Sequence, residues 1–349
     1  MTEKTFDDVL LRPCWSSIKS RMDVDVSTHF SRNVKLDIPF ASANMRTVTD
    51  AQTCNALAKV GGIGILHRYF GNEEDWINEI CKIDWITTWG LSIGTSTPFE
   101  WFETIQYRIN NEENNIPGSN VIVIDVANAA NDCVFEFTKK VINFFKKHPS
   151  YYKPDIVVGN IATAEAAKKY KELDIDGLKV GVGAGATCTT RLMTGVGVPQ
   201  LAAIRDVVNV LRKSDIKIIA DGGISQPGDA VKALSAGADS VMMGKVLAFA
   251  KESPGWNFKA PEYGVKQWTK IYKGEASFRP DRTHEGVTHN IILDVGKEPK
   301  PVEEILLDYT GGLRSAMSYL NAQNIKHLQE NAVFIEVSTN TLIENRTRP

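Results

Sequence analysis

Short apolar runs alternate with segments whose apolar residues recur at helical spacing. IPFASANM (38–45) precedes DAQTCNALAKVGG, IGILHR (63–68) precedes NEEDWINEICKI, TTWGLSIG (87–94) precedes PFEWFETIQYRINN, and VIVIDVAN (121–128) precedes CVFEFTKKVINFFKK. The alternation continues with DIVVGN (155–160) before TAEAAKKYKEL and LKVGVG (178–183) before a longer loop and QLAAIRDVVNVLRK. IKIIADGG (216–223) then precedes PGDAVKALSAG, and SVMMGKVLA (240–248) closes the series. Runs such as VIVID and IKIIA are apolar on both faces, as strands buried in a parallel sheet are. Eight such units predict an α/β fold, a (β/α)8 TIM barrel rather than an open eight-stranded sheet. The chain, 1–349, reads as one barrel domain with its core at about 38–250 and the first residues as an N-terminal extension. Residues 253–304, rich in Gly, Pro, Lys and Trp without clear periodicity, read as a long loop or active-site flap. Beyond them, at about 305–349, GGLRSAMSYLNAQNIKHLQEN reads as one or two helices and AVFIEVS as a final extended piece.

Composition narrows this picture. The chain has 349 residues, 43% hydrophobic and 23% charged, which excludes a disordered or collagen-like polymer. Net charge is −2, from 40 basic and 42 acidic residues, so no nucleic-acid or membrane-surface partner is expected. No apolar stretch approaches the ~18 residues of a membrane helix, and MTEKTFDDVLLRP lacks the apolar segment of a signal peptide. Cys14, Cys54, Cys81, Cys133 and Cys188 are scattered without a CxxC pair, which fits free thiols in a reducing, cytoplasmic setting. Cys54 and Cys81 read as packing residues.

In such a barrel, chemistry sits at the C-terminal strand ends. Those ends carry Asn44 and Met45, His67 and Arg68, Gly94, Asp125 and Asn128, Gly159 and Asn160, Gly183 to Cys188, Asp221 to Gly223, and Gly244 with Lys245. Polar residues and glycines concentrate there, a pattern that predicts an enzyme. The densest signal is VGVGAGATCTTRLMTGVGVPQ (180–200). Gly181, Gly183 and Gly185 permit turns that let backbone groups converge on a ligand or an ion. Cys188 follows among Thr187, Thr189, Thr190 and Arg191. Hydroxyls and a cation beside a thiol favour the thiolate, so Cys188 is the candidate nucleophile. His67 reads as structural and KKVINFFKK as part of an amphipathic barrel helix.

The pattern GxGxGxxCTTR followed by TGVGxPQ resembles the inosine-monophosphate dehydrogenase and guanosine-monophosphate reductase family. TFDDVLLRP (5–13), IADGGI (219–224) with PGDAVKALSAGAD, and GGLRSAMSY (311–319) are similar to family blocks, so the resemblance covers nearly the whole chain. It implies a covalent adduct between Cys188 and purine C2. Four features favour the reductase branch, NADPH-dependent conversion of GMP to IMP and ammonia. The chain lacks the regulatory domain pair that most dehydrogenases insert. SSIKSRMDVDV (16–26) resembles the reductase block in which Ser and Arg, here Ser20 and Arg21, meet the extra phosphate of NADPH. IDVAN (124–128) resembles the reductase's fourth strand end. RTHEG (282–286) resembles its Arg-x-x-Glu-Gly, and the flap lacks the Arg-Tyr pair of the dehydrogenase. TGVGVPQ and KESPG (251–255) resemble the dehydrogenase equally.

Carried over position by position, the resemblance makes Cys188 the nucleophile, with Thr190 and Glu285 moving the proton that lets ammonia leave. It implies that Asp221 accepts from the ribose hydroxyls, and that Gly222, Gly223, Gly244, Lys245 and Tyr272 surround the 5′-phosphate. Gly274, Glu275, Arg282 and Gly286 complete the implied substrate set. Asp125, Val126 and Ala127 are implied beside the nicotinamide, with Ser20, Arg21, Arg68, Val182 and Gly183 as further cofactor residues. Gly183, Gly185, Cys188 and Arg191 resemble the family's potassium site, and the implied assembly is a homotetramer.

Several positions depart from the pattern. Ala186 stands where a Ser is usual, Lys245 where Gly or Ser is, Arg46 where Asp is, Arg68 where a reductase has Lys, and Glu275 where a Met lies against the purine. Three alternatives to a GMP reductase therefore stay open: an IMP dehydrogenase without regulatory domains (IMP to XMP with NAD), a reductase of altered guanine-nucleotide specificity, and a silent nucleotide-binding barrel.

Overall fold

Eight parallel strands close into a barrel. They are β1 (Phe40–Ser42), β2 (Ile63–Leu66), β3 (Trp89–Ile93), β4 (Val121–Asp125), β5 (Asp155–Ile161), β6 (Gly177–Val180), β7 (Lys217–Asp221) and β8 (Ser240–Met243). Each pairs with the next, and β8 pairs with β1, so the ring has no free edge. This computed structural model describes residues 3–111, 116–186, 188–259, 267–274, 288–294, 297–338 and 340–341. The fold is the expected (β/α)8 barrel.

The double-sided apolarity of the strands has a direct structural cause. Ile63, Ile65, Val121, Val123, Val157, Ile219 and Met242 fill the barrel interior, which Phe30 and Leu36 help to plug. Their neighbours Ile122, Ile124, Ile156, Val158, Ile218, Ala220 and Val241 face the surrounding helices. Alternate residues thus serve two cores, as strand geometry requires.

The helices between strands are α1 (Ala51–Lys59), α2 (Glu73–Ile80), α3 (Phe99–Asn110), α4 (Asp132–Lys147), α5 (Ala164–Tyr170), α6 (Thr190–Thr194), α7 (Gln200–Leu211) and α8 (Pro227–Ser235). Four start on a side-chain cap: Asp50, Asn72, Asn131 and Thr163 each accept an amide of the first turn. Each such cap contributes about 1 kcal/mol and fixes where the strand-end loop stops. On α4, Val134, Thr138, Val141 and Phe145 form the buried stripe, so the KKVINFFKK segment is the amphipathic barrel helix its pattern predicts.

The chain ends depart from the sequence reading in two places. SVMMGKVLA is not one strand: β8 stops at Met243 and α9 (Lys245–Ala248) follows. The segment read as a long loop or flap contains an antiparallel sheet of β9 (Asn257–Lys259), β10 (Gln267–Lys273) and β11 (Thr288–Ile292). Its alternation was hidden because an inward position of β10 is a lysine, Lys270, next to the outward Ile271. The helix expected from Gly311 begins earlier, as α10 (Val302–Tyr319), with α11 (Ile325–Asn331) after it. A Cβ at Gly312 would stand 2.7 Å from the Pro227 side chain, so this mid-helix glycine lets α10 lie close to α8. Phe334–Glu336 pairs antiparallel with Val9–Leu11. Among the described residues no helix is long and apolar enough to cross a membrane. Cys54 is buried as expected, but Cys81 is exposed.

Candidate functional site

The C-terminal mouth of the barrel opens into a cavity of about 1290 Å³. Cys188 enters it from the turn after β6. Its amide donates to the Gly185 carbonyl at 3.0 Å, and its thiol donates to Thr190 Oγ1 at 3.2 Å. The glycine loop therefore presents a half-buried thiol with a hydroxyl already against it.

Opposite the loop lies a set of charges on adjoining strand ends. Lys179 Nζ, on β6, donates to Asp125 Oδ1 at 2.9 Å and to Asp221 Oδ2 at 2.8 Å. It also donates to Asn160 Oδ1. Asn160 Nδ2 donates to Asp221 Oδ2 at 3.0 Å and to the Gly181 carbonyl at 2.6 Å. Burial works against the Asp125 carboxylate, yet the Lys179 and Arg68 charges hold it below the ordinary carboxylate range. All of these side chains line the cavity. Lys179 was not singled out from sequence, and Asn160 was noted only as a strand-end residue. The signal was available: a lysine within the apolar run LKVGVG needs partners if the run is a barrel strand.

At one end of the cavity the chain turns through Gly222 and Gly223, with φ of +96° and +78°. A Cβ at Gly244 would come within 3.0 Å of Tyr272 Oη, so bare backbone, Lys245 and a tyrosine hydroxyl converge there. Gly274 also lines the cavity. Such a concavity of glycine backbone and cation is suited to an anion.

At the other end Arg68 donates to Ser96 Oγ at 3.1 Å and lies 4.4 Å from the Tyr69 ring centroid. Its Nε is buried without a hydrogen-bond partner among the described residues. Val126 and Ala127 line the cavity beside Asp125, so this end combines a polar donor with small apolar walls. His67, behind it, stacks on Phe70 at 4.5 Å. Burial first, and the Arg46 charge second, push it down to about 3, so it stays neutral and structural, as expected.

The remaining expected residues divide into two groups. Ser20 caps a short 3-10 turn and Arg21 donates to Ser315 Oγ at 3.4 Å; neither lines this cavity. Val182 packs in the core, and Gly183 sits against the stem of Arg191, whose Nη2 donates to the Val198 carbonyl at 2.5 Å. These three also lie off the cavity wall. Glu275, Arg282, Glu285 and Gly286 lie outside the described residues. Among the described residues no cluster of His, Cys, Asp or Glu could hold a metal ion. Of the residues expected from the resemblance to hold potassium, Gly185 and Arg191 each have a carbonyl that accepts one backbone amide, from Cys188 and Gly195 respectively.

Comparison with known proteins points to one family. A family model described as "IMP dehydrogenase / GMP reductase domain" matches residues 3–348. An inosine-5'-monophosphate dehydrogenase of Cryptosporidium parvum is 33% identical, covering 98% of this chain and 94% of its own. A GMP reductase of Enterobacter sp. (strain 638) is 35% identical, covering 95% and 94%. A GMP reductase of Leishmania major is 29% identical, covering 96% and 94%.

Proposed function

The chain belongs to the IMP dehydrogenase / GMP reductase family, and from that premise we propose that it is an NADPH-dependent GMP reductase. The family supplies the coarser statement: an oxidoreductase of purine nucleotides with a nicotinamide cofactor. The observation that carries the chemistry is the Cys188 thiol held 3.2 Å from Thr190 Oγ1 at the barrel mouth. The reductase assignment is supported by Ser20 and Arg21 in SSIKSRMDVDV, by IDVAN, and by RTHEG.

The roles follow from placement. GMP lies with its phosphate against Gly222, Gly223, Gly244, Lys245, Tyr272 and Gly274, and its ribose hydroxyls donate to Asp221. Cys188 attacks C2, and the S–C2 bond forms as the C2–amine bond breaks. Thr190, with Glu285, passes the proton that lets nitrogen leave as ammonia. NADPH, when bound, supplies hydride to C2. The S–C2 bond then breaks to release IMP and the thiolate. The balance is GMP, NADPH and two protons to IMP, NADP⁺ and ammonium. Asp125, Val126, Ala127 and Arg68 orient the nicotinamide, and Glu275, Arg282 and Gly286 are assigned to the substrate by resemblance. Carbonyls of Gly183, Gly185, Cys188 and Arg191 would hold a potassium ion, whose charge would brace the Cys188 loop. Ser20 and Arg21, off their own cavity, serve a neighbouring copy in a homotetramer.

A second reading, IMP dehydrogenase, is favoured by Arg68 in place of the reductase lysine and by TGVGVPQ and KESPG. Purified protein assayed with GMP plus NADPH, and with IMP plus NAD, separates the two. Loss of NADPH absorbance with GMP, abolished by Cys188→Ala, is the expected result. Turnover of IMP with NAD alone would move the chain to the dehydrogenase branch, and silence in both would exclude both.

A further inference from the structure

Lys179 is a buried cation at the centre of the cavity wall, and the reaction above gives it no part. It is 2% exposed. A lysine ammonium has three protons, and three acceptors take them: Asp125 on β4, Asn160 on β5 and Asp221 on β7. No proton is left to give to a ligand, so Lys179 is not an acid for the substrate. Burial opposes its charge, but Asp125 and Asp221 outweigh burial and lift it above the ordinary lysine range. The barrel makes room for it: a Cβ at Gly159 would overlap the Lys179 side chain and stand 2.8 Å from its carbonyl oxygen. Asp221 Oδ2 is committed to Lys179 and Asn160, which leaves Oδ1 for a ligand.

We propose that Lys179 is a positioning residue that makes nucleotide binding at Asp221 and dinucleotide binding at Asp125 depend on each other. The proposal rests on the assignment of Asp221 to the ribose and Asp125 to the nicotinamide. The ammonium has no spare proton and no room, so a hydroxyl that fixes Asp221 fixes the ammonium and, through it, Asp125. The second ligand then meets a carboxylate that is already ordered, and it binds with a smaller ordering cost. Arg68, from the loop after β2, and Asn44, from the end of β1, also act on Asp125. Both stay in place when Lys179 is changed.

The test uses IMP and NADPH, a dead-end pair, since C2 of IMP gives up hydride only to an oxidised nicotinamide and a reduced one cannot accept it. NADPH is titrated by fluorescence with and without saturating IMP, for wild type, Lys179→Met and Lys179→Arg. The wild-type ratio of affinities is expected to be at least ~5-fold, within the usual range of coupling. Lys179→Met should bring it close to unity, with partial recovery in Lys179→Arg. A Lys179→Met protein that melts earlier but keeps the wild-type ratio has lost only a scaffold contact, and that result overturns the proposal. So does a wild type that binds both ligands without a ratio.

If neither ligand binds the wild type, the functional reading fails, and the charge arrangement is judged from unliganded melting across pH 4 to 8. Without Lys179 the buried Asp125 carboxyl resists ionisation. Lys179→Met should then lose stability as pH rises from 4, and Asp125→Asn should restore it in that background. Melting curves parallel to wild type would overturn the shared-charge arrangement, and the proposal with it.

Discussion

Gly222→Ala tests how tightly the cysteine loop is gauged. The backbone there has φ +96°, and a Cβ would stand 3.0 Å from the Ala184 carbonyl carbon and the Gly185 nitrogen. Two costs follow. A side chain in left-handed conformation costs about 1–2 kcal/mol. The loop bearing Cys188 must also retreat by a few tenths of an ångström. A full 1 Å error in a reacting geometry can cost roughly 100-fold in rate, so a partial shift is expected to cost about 10-fold in kcat. Gly255→Ala is the control: its φ is +88°, and nothing lies within 4 Å of the added methyl. It carries the strain without the displacement. Urea unfolding should show both variants destabilised by about 1–2 kcal/mol, while initial rates of NADPH loss fall only for Gly222→Ala. Equal kcat values for the two variants would refute the reasoning.

Lys270 donates to Ser253 Oγ at 2.6 Å beneath Trp256, and burial pushes it down to about 7 against the pull of Asp50. Its unfolded form holds a proton up to about pH 10.4. Stability should therefore rise with pH between about 7 and 10, and Lys270→Met should flatten that slope in pH-dependent thermal unfolding. Phe102, 1% exposed, meets Phe144 edge-on at 5.2 Å. Phe102→Ala should cost about 3–5 kcal/mol in urea unfolding with KM unchanged. Lys245→Ala removes one cation from the proposed phosphate end. It should raise KM for GMP about 10-fold with kcat nearly constant, as loss of one charge-assisted hydrogen bond does.

The barrel was legible because strands such as Val121–Asp125 are apolar on both faces and several helices begin on a capping side chain, as α4 does on Asn131. Cys188 was legible because glycines and hydroxyls surround it in the sequence itself. What stayed hidden depended on distant partners. Lys179 looked like an interruption in an apolar run, since its acceptors lie on three other strands. Gly312 looked like a helix boundary, since the reason for it is Pro227 on α8. Ser20 and Arg21 were placed by resemblance alone, and spacing along a chain does not say whose cavity a residue meets. The sheet of β9 to β11 escaped because strand length and alternation there are short and Lys270 breaks the apolar pattern.

The closure of the ring has a consequence for how the protein is made. Strand β1 pairs with β2 on one side and with β8 on the other, Phe40 lying opposite Val241. A ribosome working at about 5–20 residues per second needs on the order of 10–40 s to travel between those two strands. Throughout that interval the nascent chain carries an unpaired β1 edge, and the apolar Val9 and Leu10 ahead of it await the Phe334–Glu336 strand even longer. Open edges of this kind recruit neighbouring chains. Yield in a cell should therefore respond to elongation speed and chaperone supply more than to the stability of the finished barrel.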